Sequence, residues 1–255
     1  MTNRLAIMDY GIGGLDLFRR VKQIRPELGI TYFSDSGEVP YGKLSKDKLH
    51  KRVSKVINFL KRKGANQIII ACHSASSVSS LIESDGIIDL VDSTIYDPFA
   101  MQSQYLGIIG GGRTIHSGIY AQHFRNQGIK INQRVAQPLS ILVEQGEIDS
   151  SRVYGEIKRI LKPIKSVDSL LLACTHYPVL RPQIQAYLGT SCRIIDPLDN
   201  LLDRIKPMLY KVNNGKDMFY TTGDKELMIQ VANSLYGIGV HDIHSISGFS
   251  GGHLS

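Results

Sequence analysis

The chain has 255 residues, 42% of them hydrophobic and 21% charged, which allows one large or two modest domains with a real core and excludes a disordered chain. A net charge of +7 suits anions, whether small carboxylates, phosphates or nucleic acid, and three cysteines are too few for a disulfide scaffold. No apolar run reaches the roughly 18–20 residues of a membrane helix and the opening MTNRLAIMDYG is not a secretory signal, so a cytoplasmic protein without a membrane partner is expected.

Leu5–Met8 predicts a strand ending at Asp9. Leu15, Phe18, Val21 and Ile24 recur at helical spacing and predict a helix over Leu15–Ile24. Ile30–Phe33 reads as a second strand. A helix over Asp47–Lys63 turns Leu49, Val53, Val56, Ile57 and Leu60 to one face. Between Lys43 and Lys63 nine basic residues stand against one acid, Asp47. No recognition motif accompanies this run, so it reads as a solvated helix face and nucleic acid is not expected as a partner. Gln67–Ala71 and Tyr105–Ile109 are further strands, the latter followed by a glycine loop and a helix from about Ile115. A short strand is expected at Arg134–Gln137, a helix over Arg152–Lys162, and strands at Ser169–Ala173, Arg193–Ile195 and Met218–Thr221. Strands alternating with helices predict an α/β fold with parallel sheets and right-handed crossovers.

QIIIACHSAS (Gln67–Ser76) and SLLLACTHYP (Ser169–Pro178) echo each other: an apolar strand, then Ala-Cys, then polar residues. Ligands bind beyond the carboxyl ends of parallel strands, where Cys72 and Cys174 are predicted to sit. Two facing α/β halves would bring both thiols to one cleft, kept from full burial by the polar residues that follow them. The alternative is two buried strand-end cysteines acting as small hydrophobes. A thiolate and a thiol on opposite sides of one carbon can invert an amino-acid stereocentre without a cofactor. One removes the α-proton, the other returns a proton to the opposite face. The site must stabilise the carbanion-like transition state, and hold a thiolate through a helix N-terminus or a polarising partner. A redox disulfide remains open, although no CxxC is present; the same lack leaves no expected metal site.

At this point the residues resemble a family. MDYGIGGL (Met8–Leu15), YFSDSGEVPYG (Tyr32–Gly42), ACHSAS (Ala71–Ser76), GGGRTIHSGIY (Gly110–Tyr120), VEQGEID (Val143–Asp149), ACTHYPVL (Ala173–Leu180) and FYTTGD (Phe219–Asp224) are similar, in order and spacing, to the blocks of the cofactor-independent aspartate/glutamate racemases, glutamate racemase above all. The resemblance implies two pseudo-symmetric parallel-sheet α/β domains, residues 1–97 with 205–255 and residues 98–204, and an active site in the cleft between them. It implies Cys72 and Cys174 as the acid/base thiols, Asp9 assisting Cys72, and His176 assisting Cys174 with Glu144 nearby. Asp9, Tyr10, Tyr41, Gly42, His73, Ser74, Thr114, Thr175 and His176 carry over as substrate contacts. It implies a small amino-acid substrate, a possible homodimer, no cofactor, and D-glutamate supply for peptidoglycan.

Three residues depart from the family pattern. Tyr10 stands where a serine is usual, His73 for an asparagine and Ser74 for a threonine. A tyrosine ring takes space, and an imidazole can alter the charge near Cys72. A racemase-like enzyme for a different amino acid is therefore an alternative, as is a non-catalytic binding or regulatory protein on the same scaffold. Blander readings also exist: Asp9 as a helix cap, His176 as a loop histidine, Glu144 as a surface acid, Pro40-Tyr41-Gly42 as a turn. Cys192, in the apolar CRII run, reads as core. GIIGGGRT (Gly107–Thr114) only approaches a phosphate-binding loop, because its first residues read as the strand itself.

Overall fold

The computed structural model describes residues 3–37 and 39–246. Glu38 of the YFSDSGEVPYG segment, and residues 1–2 and 247–255 of the expected first domain, lie outside them. The first stretch holds β1 (Arg4–Asp9), α1 (Leu15–Ile24), β2 (Ile30–Ser34), α2 (Lys46–Arg62), β3 (Ala65–Ile70), α3 (His73–Ser76), β4 (Ile87–Asp89), α4 (Leu90–Ile95) and α5 (Pro98–Met101). Next come β5 (Tyr105–Gly110), α6 (Gly112–Ser117), α7 (Ile119–Asn126), β6 (Lys130–Val135), α8 (Gln137–Glu144), α9 (Ser151–Leu161), β7 (Ser169–Ala173), α10 (Arg181–Leu188) and β8 (Arg193–Ile195). The described chain closes with α11 (Pro197–Leu209), β9 (Met218–Thr221), α12 (Lys225–Tyr236) and β10 (Ile243–Ser245).

These strands form two parallel sheets. One runs β10-β9-β2-β1-β3-β4, the other β6-β5-β7-β8. Parallel strands need cover on both faces, and the sequence supplies continuous apolar runs for it. Leu5–Met8 and Leu170–Leu172 have no exposed surface. The order β2-β1-β3-β4 is repeated in β6-β5-β7-β8. In each case the connections leave the first strand in opposite directions, which opens a crevice at the carboxyl ends of β1/β3 and of β5/β7. The fold is therefore α/β with two pseudo-symmetric parallel sheets. The last two strands extend the first sheet beyond β2, with Phe33 opposite Tyr220.

The return to that sheet passes through α11, which carries Pro207 within it and packs on α4. Asn200 donates to the Ser93 carbonyl at 2.7 Å there. Helix α2 keeps Leu49, Val53, Val56, Ile57 and Leu60 inside and most of its lysines outside, as the solvated-face reading expects. Arg52 is the exception, since its guanidinium turns inward to Asp35.

The strand expected at Arg134–Gln137 is corrected to Lys130–Val135, and Gln137 instead opens α8. β6 is an edge strand with no fully buried residue, so it carries no apolar alternation to read. Pro138 in the first turn of α8 suits a helix start rather than a strand. The helix expected from about Ile115 is two helices that meet at Gly118, whose φ of 71° ends the first. β4 and β10, three residues each, give too short a pattern to recognise. Among the described residues, no helix is long and apolar enough to cross a membrane.

Candidate active site

Asp9 ends β1 and is fully buried. Its Oδ1 accepts the Tyr10 N–H at 2.7 Å, and its Oδ2 accepts the Gly14 N–H at 2.6 Å and the Thr175 hydroxyl at 2.9 Å. The first two bonds shape the loop before α1, while the third reaches across to the segment after β7. The helix cap proper is Gly14, which offers no side chain. Glycine is required in this loop by close approach. A Cβ on Gly11 would stand 1.7 Å from Glu144 Oε1, and one on Gly13 would stand 2.6 Å from Thr175 Oγ1 and 2.7 Å from His176 Nδ1.

Cys72 follows β3 and precedes the short α3. Burial pushes its thiol pKa well above the ordinary value, and the Asp9 carboxylate pushes it further; backbone N–H groups of Ala75 and Tyr10 oppose them in part. The expectation that polar neighbours keep this end open is corrected: Cys72 is only 8% exposed, and His73 and Ser74 are buried with it. His73 Nδ1 lies 2.7 Å from the Tyr120 hydroxyl, and burial lowers its pKa to about 3, so the ring is neutral and adds no charge beside Cys72. Ser74 Oγ meets Thr114 Oγ1 of α6 at 3.1 Å, a contact between elements of the two sheets.

Cys174 follows β7 and is half-buried. His176 Nδ1 lies 3.6 Å from its Sγ, and His176 Nε2 meets Glu144 Oε1 at the end of α8. Burial opposes charge on His176, but Glu144 and Cys174 outweigh it and raise its pKa well above 6.5. The same Glu144 oxygen accepts the Ile12 N–H at 2.8 Å, which ties the glycine loop to this pair. Burial also raises the Asp9 carboxyl pKa, with His176 and Thr175 pulling the other way.

Tyr41 donates its hydroxyl to Asp35. Asp35 is held in turn by Arg52 Nε at 2.6 Å and the Thr222 hydroxyl at 2.9 Å. Nothing in the spacing of Asp35, Arg52 and Thr222 announces this support; the one available hint is an arginine in a lysine-rich run.

Tyr10, Tyr41, Gly42, Cys72, His73, Ser74, Cys174, Thr175 and His176 line one cavity. Asp9 and Thr114 lie behind its wall, each bonded to a lining residue. Glu144 faces a second cavity and reaches the first through His176. The thiol cavity has a volume of about 30 Å³ and the second about 350 Å³; Tyr10, Pro40, Gln137 and Ser140 line both. Neither Gln137 nor Ser140 is among the expected site residues: Gln137 falls in the strand expected at Arg134–Gln137, and Ser140 falls in no expected element. Cys192 is buried core, as expected. Among the described residues, no group of three or more His, Cys, Asp or Glu side chains is arranged to hold a metal ion.

Residues 46–204 match the family model Asp/Glu/Hydantoin racemase. The chain belongs to this family. A glutamate racemase of Streptococcus pneumoniae is 30% identical, with 96% of this chain and 99% of that one covered. One from Desulforudis audaxviator is 33% identical over 76% of this chain and 74% of its own. The crystal structure of glutamate racemase from Francisella tularensis in complex with D-glutamate superimposes with a TM-score of 0.86, at 23% identity, over 96% of this chain and 98% of that one, a likeness of fold.

Proposed function

We propose that this protein racemises glutamate, L to D and back, by two-base catalysis. One observation carries the reading: two thiols, each at the end of the equivalent strand of its sheet, face a single cavity, and each has its own acid/base neighbour. In one direction a Cys174 thiolate takes the α-proton: the Cα–H bond breaks and an S–H bond forms. Cys72 gives its proton to the opposite face, where an S–H bond breaks and Cα–H forms. The reverse direction exchanges the roles. Asp9 is the group able to hold or return the Cys72 proton. The His176 N–H, kept charged by Glu144, serves Cys174 in the same way. Backbone N–H groups of Tyr41, Gly42, Ser74 and Thr175, with the Ser74 hydroxyl, are the donors available to the substrate carboxylates, since the Tyr41 and Thr175 hydroxyls are given to Asp35 and Asp9. Thr114 supports Ser74 from behind.

Incubation with L-glutamate in heavy water tests this reading. Deuterium at Cα accompanied by D-glutamate is expected, and its absence rejects the reaction. Cys72→Ala and Cys174→Ala should each abolish racemisation, and a retained rate in either removes the two-base scheme. A second reading, the same chemistry on another amino acid, draws on the Tyr10 ring, packed 5.4 Å from that of Tyr41 on the cavity wall. Exchange on a panel of amino acids separates the two. D-Glutamate formed this way would serve peptidoglycan synthesis in the cytoplasm. The same reading takes residues 1–97 with 205–255 and residues 98–204 as two units that part to admit substrate, in a chain that pairs as a homodimer; light scattering tests the pairing.

A further inference from the structure

Gln137 belongs to none of the sequence blocks, yet it sits where both cavities meet. Its Nε2 donates to Ser140 Oγ at 2.8 Å, and the Ser140 hydroxyl is spent on the Gln137 backbone carbonyl at 2.9 Å. Since Ser140 then has only a lone pair to offer, the amide is fixed with nitrogen toward Ser140 and oxygen toward the cleft. That oxygen lies against Gly42 and Gly111, 2.0 and 3.1 Å from where their Cβ atoms would stand, so it spans the gap between the two sheets' loops. It is buried and has no hydrogen-bond partner. Among the described residues it is the one buried, unpartnered polar side-chain atom on the wall of the thiol cavity. A buried acceptor left unsatisfied is costly, so such an atom calls for a donor.

We propose that Gln137 is a specificity-determining residue whose side-chain carbonyl receives the substrate's α-ammonium. The inference rests on the glutamate reading: a glutamate has carboxylates that only accept, and its ammonium is its sole N–H donor. The ammonium is common to both enantiomers. An acceptor for it selects amino acids over plain dicarboxylates whichever thiol acts first.

Calorimetry with L-glutamate, D-glutamate and glutarate, which lacks the amine, tests the assignment on the full chain. Gln137→Met keeps the size and removes the acceptor. It should weaken both glutamates about tenfold or more, the loss of one hydrogen bond to a charged donor, and leave glutarate unchanged. Gln137→Glu keeps an acceptor and should bind glutamate at least as well as the unsubstituted protein. Parallel weakening of glutarate and glutamate would make Gln137 a shaping residue and overturn the proposal. So would unchanged binding of all three, or an unsubstituted protein that prefers glutarate. Failure of the racemase reading is seen separately, as absent Cα exchange in the unsubstituted protein.

Discussion

His176 and Glu144 meet inside the protein, where an unpaired charge would be costly. The raised pKa of His176 therefore carries a signature in stability. Its contribution is fully present below the unfolded value of about 6.5 and is lost as pH rises through the higher folded value. Glu144→Gln removes the carboxylate that sustains the charge. Thermal melts of both proteins from pH 6 to pH 10 should show the unsubstituted protein losing its advantage as pH rises. A constant gap between them would refute the pairing. Gly13→Ala acts at the same place through sterics, because its Cβ would meet the Thr175 backbone at 2.8 Å, which no side-chain rotation relieves. Racemisation should fall at least tenfold with the fold retained by circular dichroism.

At the scale of elements, most of what builds the crevice is legible from the chain. β1, β3, β5 and β7 are apolar runs buried on both faces, and such runs are what a parallel sheet requires, so Cys72, Cys174 and Asp9 fall at predicted strand ends. Ser169–Ala173 and Leu15–Ile24 are found at their expected bounds. Legibility fails where burial is partial. β6 exposes Lys130, Arg134 and Val135 and shows no period, so nothing in the pattern separates it from the start of α8, where Gln137 lies. Asp35, Arg52 and Thr222 meet only through tertiary packing, with Thr222 arriving from the far end of the chain. Asp224 caps α12 by accepting the Glu226 and Leu227 N–H groups at 2.8 and 3.1 Å. Asp224→Ala should cost about 1 kcal/mol in chemical denaturation, with the slope of the transition unchanged.

Across the whole molecule, Arg20 on α1 holds Asp196 at 2.7 Å and also meets Asp16 and Asp199, joining a helix of the first sheet to the start of α11. Burial raises the pKa of Asp196 to about 6 despite Arg20, so this carboxylate depends on its partner at neutral pH. Arg20→Leu should destabilise by about 3 kcal/mol, because it strands a buried charge. Adding Asp196→Asn should recover much of the loss. A double variant no more stable than the single would show that the pairing with Asp196 is not what Arg20 contributes to stability.

The repeated strand order has a thermodynamic corollary. The two halves present different chemistry to the cleft, a carboxyl beside one sulfur and an imidazole beside the other, yet mirror-image amino acids have identical free energies in water. For the proposed reaction the equilibrium constant is therefore unity, and kcat/KM must be the same in both directions. The unlike halves can skew only how each enantiomer divides that quotient between affinity and turnover.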